Sequence, residues 1–377
     1  MKIAVLGYGT VGQGVTSIVD SYIDSVEVSK ILDLPDRCTQ PRMTSDFETI
    51  VGDKNIEVVV ECMGGLEPAH TFISRALAAG KSVVTSNKAV VAEYFAEFVA
   101  LARTHGVGLF IEASVGGGIP WIAGVEKARR IDEITSFSGI MNGTTNYIID
   151  SMAKEGLDFD VALGRAQELG YAERDPTADI DGIDVRNKTI ISASVAFNVA
   201  CTKDVPVSGI RTLTKRDMLM FENKGLKVKL LGRGVAQEGR YAVAVEPVAV
   251  LADSLEAAVP QNFNLVSLEG QTVGPLKFYG QGAGSLPTGN AMVQDVLDAQ
   301  EGRLPSYSFS RPLTYDPSLL TSNYVYRTSV DAPRDAEWYA SGAWRLDHLT
   351  AKEAREIYTK VLAKDPAAFM AALAREA

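Results

Sequence analysis

Over the first third of the chain, short apolar runs alternate with longer amphipathic stretches. Residues 2–7, 27–34, 57–61, 82–85 and 108–112 read as strands with little polar interruption. Between them, residues 10–23, 69–79 and 89–105 carry apolar side chains at helical spacing. Near-continuous apolar strands alternating with helices predict a mostly parallel sheet covered on both faces.

The pattern changes near residue 133. A strand through 134–142 leads into helices from Thr145, over 161–169 and over 182–199. Residues 226–235, 241–250 and 271–279 read as strands of a second, mixed sheet, which the glycines of 280–284 interrupt. A helix over 288–299 (to about residue 300) is apolar enough to pack back on the first domain. Residues 318–348, with Trp338 and Trp344, read as loops, and helices over 351–362 and 366–375 close the chain. The pattern divides the chain into 1–130, 131–310 and an extension at 311–377 without an assigned role.

With 377 residues, 46% hydrophobic and 22% charged, the chain is long enough for two cores of ordinary globular composition. The net charge of −10, without a basic run, argues against nucleic acid as a partner. Cys38, Cys62 and Cys201 have no metal-ligand spacing and read as free thiols in a reducing compartment. The sequence shows no signal-peptide pattern and no apolar run of membrane-spanning length, so a soluble cytoplasmic protein is expected, without a membrane partner.

Gly7-Tyr8-Gly9-Thr10-Val11-Gly12 is a G-x-G-x-x-G that follows a strand and opens a helix, the context in which this spacing binds a dinucleotide. Gly7 permits the tight turn, Gly9 lets a pyrophosphate approach the backbone, and Gly12 permits close helix–strand packing. The helix N-terminus adds N–H groups and partial positive charge, so Gly7, Gly9, Thr10, Val11 and Gly12 are expected to hold NAD or NADP. Asp33, after the second strand, is placed to accept the ribose hydroxyls and repel a 2′-phosphate, whereas Arg37 could cover that phosphate. The coenzyme choice stays open. Thr85, Ser86 and Lys88 lie at the carboxyl end of another strand, where open parallel sheets bind ligands. Lys88 reads equally as a cofactor-side cation or as a surface lysine. The fold class is therefore α/β: a Rossmann-type doubly wound parallel sheet at 1–130, the NAD(P)-binding domain, plus a second α+β mixed-sheet domain.

The densest chemistry lies in residues 170–188. Glu173, Asp175, Asp179, Asp181, Asp184 and Lys188 fall within sixteen positions, with Pro176 and Gly182 shaping the backbone. Carboxylates suit a substrate ammonium, and a lysine suits a reacting oxygen. Asp184 and Lys188 are four apart on one helix and share a face; spacing alone favours a surface ion pair worth a few tenths of a kcal/mol. The flanking Glu173, the Asp175-Pro176 turn and Gly182 favour a site instead. None of His70, His105 and His348 lies in a motif, and no zinc-type ligand cluster is present.

Six blocks now add up to a family resemblance: GYGTVGQG at 7–14, TSNK at 85–88, EASVGGGIP at 112–120, GIMNGTTNYI at 139–148, LGYAERDPTADIDGIDVRNK at 169–188 and GQGAGSLPTGNAM at 280–292. Over about residues 1–310 the chain resembles the homoserine dehydrogenases. The resemblance implies reversible hydride transfer between NAD(P)H and L-aspartate 4-semialdehyde, giving L-homoserine, on the route to threonine and methionine. It implies Glu173 and Asp184 as substrate-binding carboxylates, Lys188 as the acid/base and Lys88 as a second catalytic lysine. Gly170 would lie close to the nicotinamide, and Gly282 joins the cofactor-binding set. A sodium ion would take main-chain oxygens of Glu112, Val115, Gly117 and Ile119, and two chains would pair as a homodimer through the domain at 131–310, which would also bind substrate and carry the catalysis. The chain departs from many members after the second strand, where Leu32-Asp33-Leu34-Pro35 stands in place of an arginine–aspartate pair; this favours NAD or dual use. No regulatory domain pattern follows residue 310. The alternatives are a dehydrogenase of another amino-acid aldehyde or oxo acid, or a non-catalytic NAD(P) sensor.

Overall fold

Residues divide into two compact units: 1–131, 194–201 and 280–311 form one, and 132–193, 202–279 and 312–377 the other. The computed structural model describes residues 1–374, so Arg375, where the last helix was expected to end, lies outside them. Among the described residues no helix is long and apolar enough to cross a membrane.

The first unit is built on a parallel sheet of order Met43–Thr44, Glu27–Leu32, Lys2–Leu6, Ile56–Glu61, Ser82–Thr85, Leu109–Phe110. Its central strands are buried because both faces are covered, which explains their unbroken apolar sequence. Helix Ser285–Gln300 joins this core through Ala291, Met292, Val293 and Val296, against Ile3, Val5 and Val60. It crosses helix Thr10–Tyr22 so closely that a Cβ on Gly14 would lie 2.3 Å from the Ser285 carbonyl oxygen. The Ser285 hydroxyl donates to the Thr10 carbonyl at 2.7 Å across the same crossing. The strand expected at 108–112 is cut to Leu109–Phe110, because the Glu112 N–H donates to the Asp295 carboxylate rather than to a neighbouring strand.

The second unit holds a mixed sheet whose main path runs Gly274–Gln281, Phe263–Gly270, Ile134–Ile140, Leu226–Gln237, Arg240–Leu251, Phe369–Leu373, Thr321–Arg327, Ala343–Thr350, Glu337–Ala340. Two expectations fail here. The stretch 318–348, read as loops, supplies three of these strands, with Tyr324 and Tyr326 fully buried. The stretch 366–375, read as a helix, contains the buried strand Phe369–Leu373, parallel to 248–249 and antiparallel to 323–327. Pairing with distant strands overrides the helix preference of an alanine-rich run. Residues after 311 therefore extend the second sheet instead of standing apart. Sequence reading also missed strand Phe263–Gly270, and the strand placed at 271–279 runs from Gly274 to Gln281 through Gly280.

In the first sheet, Glu61 and Thr85 are paired across adjacent strand ends. Glu61 is fully buried and accepts hydrogen bonds from the Met63 N–H at 2.7 Å and from the Thr85 hydroxyl. Burial outweighs those bonds and pushes its carboxyl up to about 7. An acid raised in the folded state favours folding while protonated. That advantage is complete below the unfolded value near 4.5 and is lost as pH rises through about 7. The loss amounts to roughly 3 kcal/mol. Chemical denaturation of the parent and of Glu61→Gln at pH 5 and pH 8 is expected to show the variant gaining relative stability at the higher pH. An equal difference at both values would show that Glu61 does not ionise in this range.

Candidate functional site

The residues expected to hold the cofactor's pyrophosphate belong to the first unit. Gly7 has φ +91°, and a Cβ there would press on Met63 and the Cys62 backbone. A Cβ on Gly12 would lie 2.0 Å from the Gly7 carbonyl oxygen, so the turn closes only with glycine at that position. A Cβ on Gly9 would meet no atom within 4 Å, leaving its backbone open to approach. Gly9 is also the N-cap of the thirteen-residue helix Thr10–Tyr22 and supplies no side-chain cap. An open backbone ahead of an uncapped helix N-terminus fits a pyrophosphate.

Asp33 is tied directly to this turn. Its carboxylate accepts the Tyr8 N–H at 2.9 Å and the Leu34 N–H at 2.7 Å. Arg37 is exposed at the end of the short turn Pro35–Arg37. Thr85 ends its strand buried, Ser86 is half-buried, and Lys88 is the first residue of helix Lys88–His105. Asn87 sets that geometry: its Oδ1 accepts the Val90 N–H, its Nδ2 donates to the Gly65 carbonyl at 2.8 Å, and its N–H donates to the Thr85 hydroxyl.

Residues 112–119 form an irregular turn, with Gly116 at φ +87° and Gly117 at φ +59°. The Gly118 N–H donates to the Gln281 carbonyl at 3.2 Å, and a Cβ on Gly117 would strike Gly282, so those two glycine segments are in contact. The carbonyls of Glu112 and Ile119 each accept one turn hydrogen bond, from Val115 and Trp121. A second lone pair on each remains for a cation. The Glu112 carboxylate caps helix Trp121–Ala128 through the Ile122 and Ala123 N–H groups, and burial raises it to about 7.

The residues of the acidic run lie in the second unit. Lys188 and Asp184 are both buried and paired at 2.8 Å on helix Ile183–Phe197. The Lys188 ammonium also donates to the Met141 carbonyl at 2.6 Å. Two of its three N–H bonds are thereby directed, and the third is available to a substrate oxygen. The Asn142 Nδ2 donates to Asp184 at 2.9 Å and to Asp179 at 2.7 Å, while its Oδ1 caps helix Gly143–Glu155 through the Thr145 N–H.

Glu173 is exposed in the turn that follows Gly170, which has φ +75°. That turn is held to the start of helix Gly143–Glu155. The Thr144 hydroxyl donates to the Tyr171 carbonyl, and the Tyr147 and Tyr171 rings meet edge to face at 5.2 Å. The acidic run of the sequence thus separates into different jobs. Asp175 caps the Thr177 N–H, Asp181 forms a two-point pair with Arg211, and Asp179 and Asp184 converge on Asn142. Asn142, Asn87 and Glu61 were given no role from sequence, and Asp179 was counted in the acidic run without one of its own. Asn142 stood within the quoted NGTTNY block, and Glu61 closes a strand whose one other polar residue, Glu57, is exposed.

Comparison with known proteins agrees with this architecture. The family model for the homoserine dehydrogenase NAD-binding domain matches residues 7–112, and the model for homoserine dehydrogenase matches residues 120–297. The homoserine dehydrogenase of Synechocystis sp. is 41% identical over 315 residues, 79% of this chain and 73% of its own length. That of Bacillus subtilis is 35% identical over 316 residues, 79% and 72% of the two chains. The crystal structure of a homoserine dehydrogenase from Thiobacillus denitrificans superposes with a TM-score of 0.88 at 29% identity, covering 99% of this chain and 98% of that one. The nucleotide-binding turn, the Asp184–Lys188 pair and these relatives together place the chain in the homoserine dehydrogenase family of NAD(P)-dependent oxidoreductases.

Proposed function

We propose that this chain catalyses the reversible reduction of L-aspartate 4-semialdehyde to L-homoserine. The observation that carries the reading is the buried Lys188 ammonium, fixed by Asp184 and the Met141 carbonyl with one N–H undirected. A hydride supplied by the reduced nicotinamide leaves negative charge on the aldehyde oxygen. A fixed ammonium stabilises that charge and delivers the proton, and in the reverse direction accepts it. Asp184 and Glu173 bind the substrate ammonium, and Lys88 acts as a second cation beside the cofactor. A sensor that only binds nucleotide would not need a buried Lys–Asp pair, which costs desolvation.

On the cofactor side, Gly7, Gly9, Thr10, Val11 and Gly12 hold the pyrophosphate, with Thr85, Ser86, Gly170 and Gly282 completing the set. Asp33, already anchored on the Tyr8 N–H, favours an unphosphorylated ribose, so NADH is the preferred donor. A homoserine dehydrogenase from a hyperthermophilic archaeon has been solved in complex with NADPH, so both coenzymes need comparison. Main-chain oxygens of Glu112, Val115, Gly117 and Ile119 would hold sodium, which stiffens the turn that abuts Gly282. The protein works as a homodimer in the cytoplasm.

Loss of reduced-nicotinamide absorbance with L-aspartate 4-semialdehyde is expected with both donors and faster with NADH. No loss with either, in protein that binds both, would overturn the substrate assignment. Lys188→Met is expected to lower kcat about 10²–10⁴-fold while NADH affinity, read by fluorescence, is unchanged. Unchanged turnover would remove Lys188 from the proton-transfer role.

A further inference from the structure

The second unit contains a cavity of about 290 Å³, lined among others by Ile149, Met152, Met218, Ala258, Lys215 and Lys229. It lies at the small end of ligand-pocket sizes. Its walls are mainly aliphatic side chains and methionines, which adapt to an irregular apolar guest. Its charges are unbalanced: Lys154, Lys215, Lys227 and Lys229 face it, against Asp150 and Glu222. Asp150 already pairs with Lys154 at 3.0 Å.

Lys229 decides the chemistry. It is 2% exposed, and its ammonium donates to the Asn146 side-chain oxygen at 2.8 Å and to the Val259 carbonyl at 2.9 Å. Both acceptors are neutral, a third N–H is left, and among the described residues no carboxylate lies within ion-pair distance of it. A buried cation with no carboxylate in contact is costly, and Asp150, an acid lining this cavity, is engaged with Lys154. We propose that this cavity is a binding site for a small monocarboxylate with an apolar body, its carboxylate directed to Lys229 and its chain lying among Ile149, Met152 and Met218. Neither Asp184 nor Lys188 lines this cavity; helix Gly143–Glu155 does, while its N-cap Asn142 binds Asp184.

Burial lowers the Lys229 ammonium to about 8, with Asp150 opposing and Lys227 and Lys154 adding to the shift. Lys215 and Glu222 face the same cavity from helix Lys215–Glu222, and Glu256, on helix Leu255–Ala258, is paired with Lys277. An arriving carboxylate would restore the charge of Lys229, so binding above that pH takes up protons.

The test is calorimetric titration of the full chain with octanoate at pH 8.5, in two buffers of different ionisation heat. One octanoate per chain is expected, with uptake of a fraction of a proton and no binding of octylammonium. Lys229→Met should abolish the proton uptake and weaken binding at least about tenfold. Because that variant loses two buried hydrogen bonds and could misfold, Ala258→Trp serves as the second. Ala258 is exposed at the cavity wall, so its indole fills the space without disturbing the core. Absence of octanoate binding, equal binding of octylammonium, or full binding by Ala258→Trp would each overturn the proposal.

Discussion

One amide nitrogen organises the substrate half of this protein. The Asn142 Nδ2 lies 2.7 Å from an Asp179 oxygen and 2.9 Å from an Asp184 oxygen, so it bridges two carboxylates that would otherwise repel each other. Three segments meet there: the start of helix Gly143–Glu155, the acidic turn before Gly182, and helix Ile183–Phe197. With Asp184 fixed, Lys188 has a defined partner and a second acceptor in the Met141 carbonyl, immediately before Asn142 in sequence. A long flexible side chain is thus held to one geometry, as proton delivery requires.

The cofactor half rests on a steric constraint instead of a polar one. Gly12 lies so close to the Gly7 carbonyl, and Gly14 to Ser285, that any side chain at either position would push a helix away. Polar groups then refine what the glycines allow. Asp33 ties the second strand to the turn, and the chain from Glu61 through Thr85 to Asn87 fixes the start of the helix that bears Lys88. Glu61 is held near its own ionisation point by burial, so the same network carries a pH-dependent stability cost.

How much of this was legible in the sequence followed from the range of the interactions. The parallel sheet was legible because its strands, turns and helices are local and its strands are rich in buried apolar residues. The Asp184–Lys188 pair was legible as an i,i+4 spacing, and its burial at Asn142 was not, since the partner lies forty-two residues away. The strands after 318 were missed because they pair with segments far along the chain and contain charged and aromatic residues on open faces, as with Trp338, 69% exposed. Lys227 and Lys229 look alike in an alternating strand, yet one is exposed and the other buried over a cavity. Only packing separates them.

The most direct test of the central claim is the turnover of Asn142→Ser with L-aspartate 4-semialdehyde and saturating NADH. Serine keeps a helix cap but cannot reach both carboxylates. A fall in kcat of about 100-fold or more with unchanged NADH affinity is expected, because Asp184, the partner of Lys188, loses its anchor. A kcat within about twofold of the parent would mean that Asp184 and Lys188 are positioned without Asn142, and the central claim would fail.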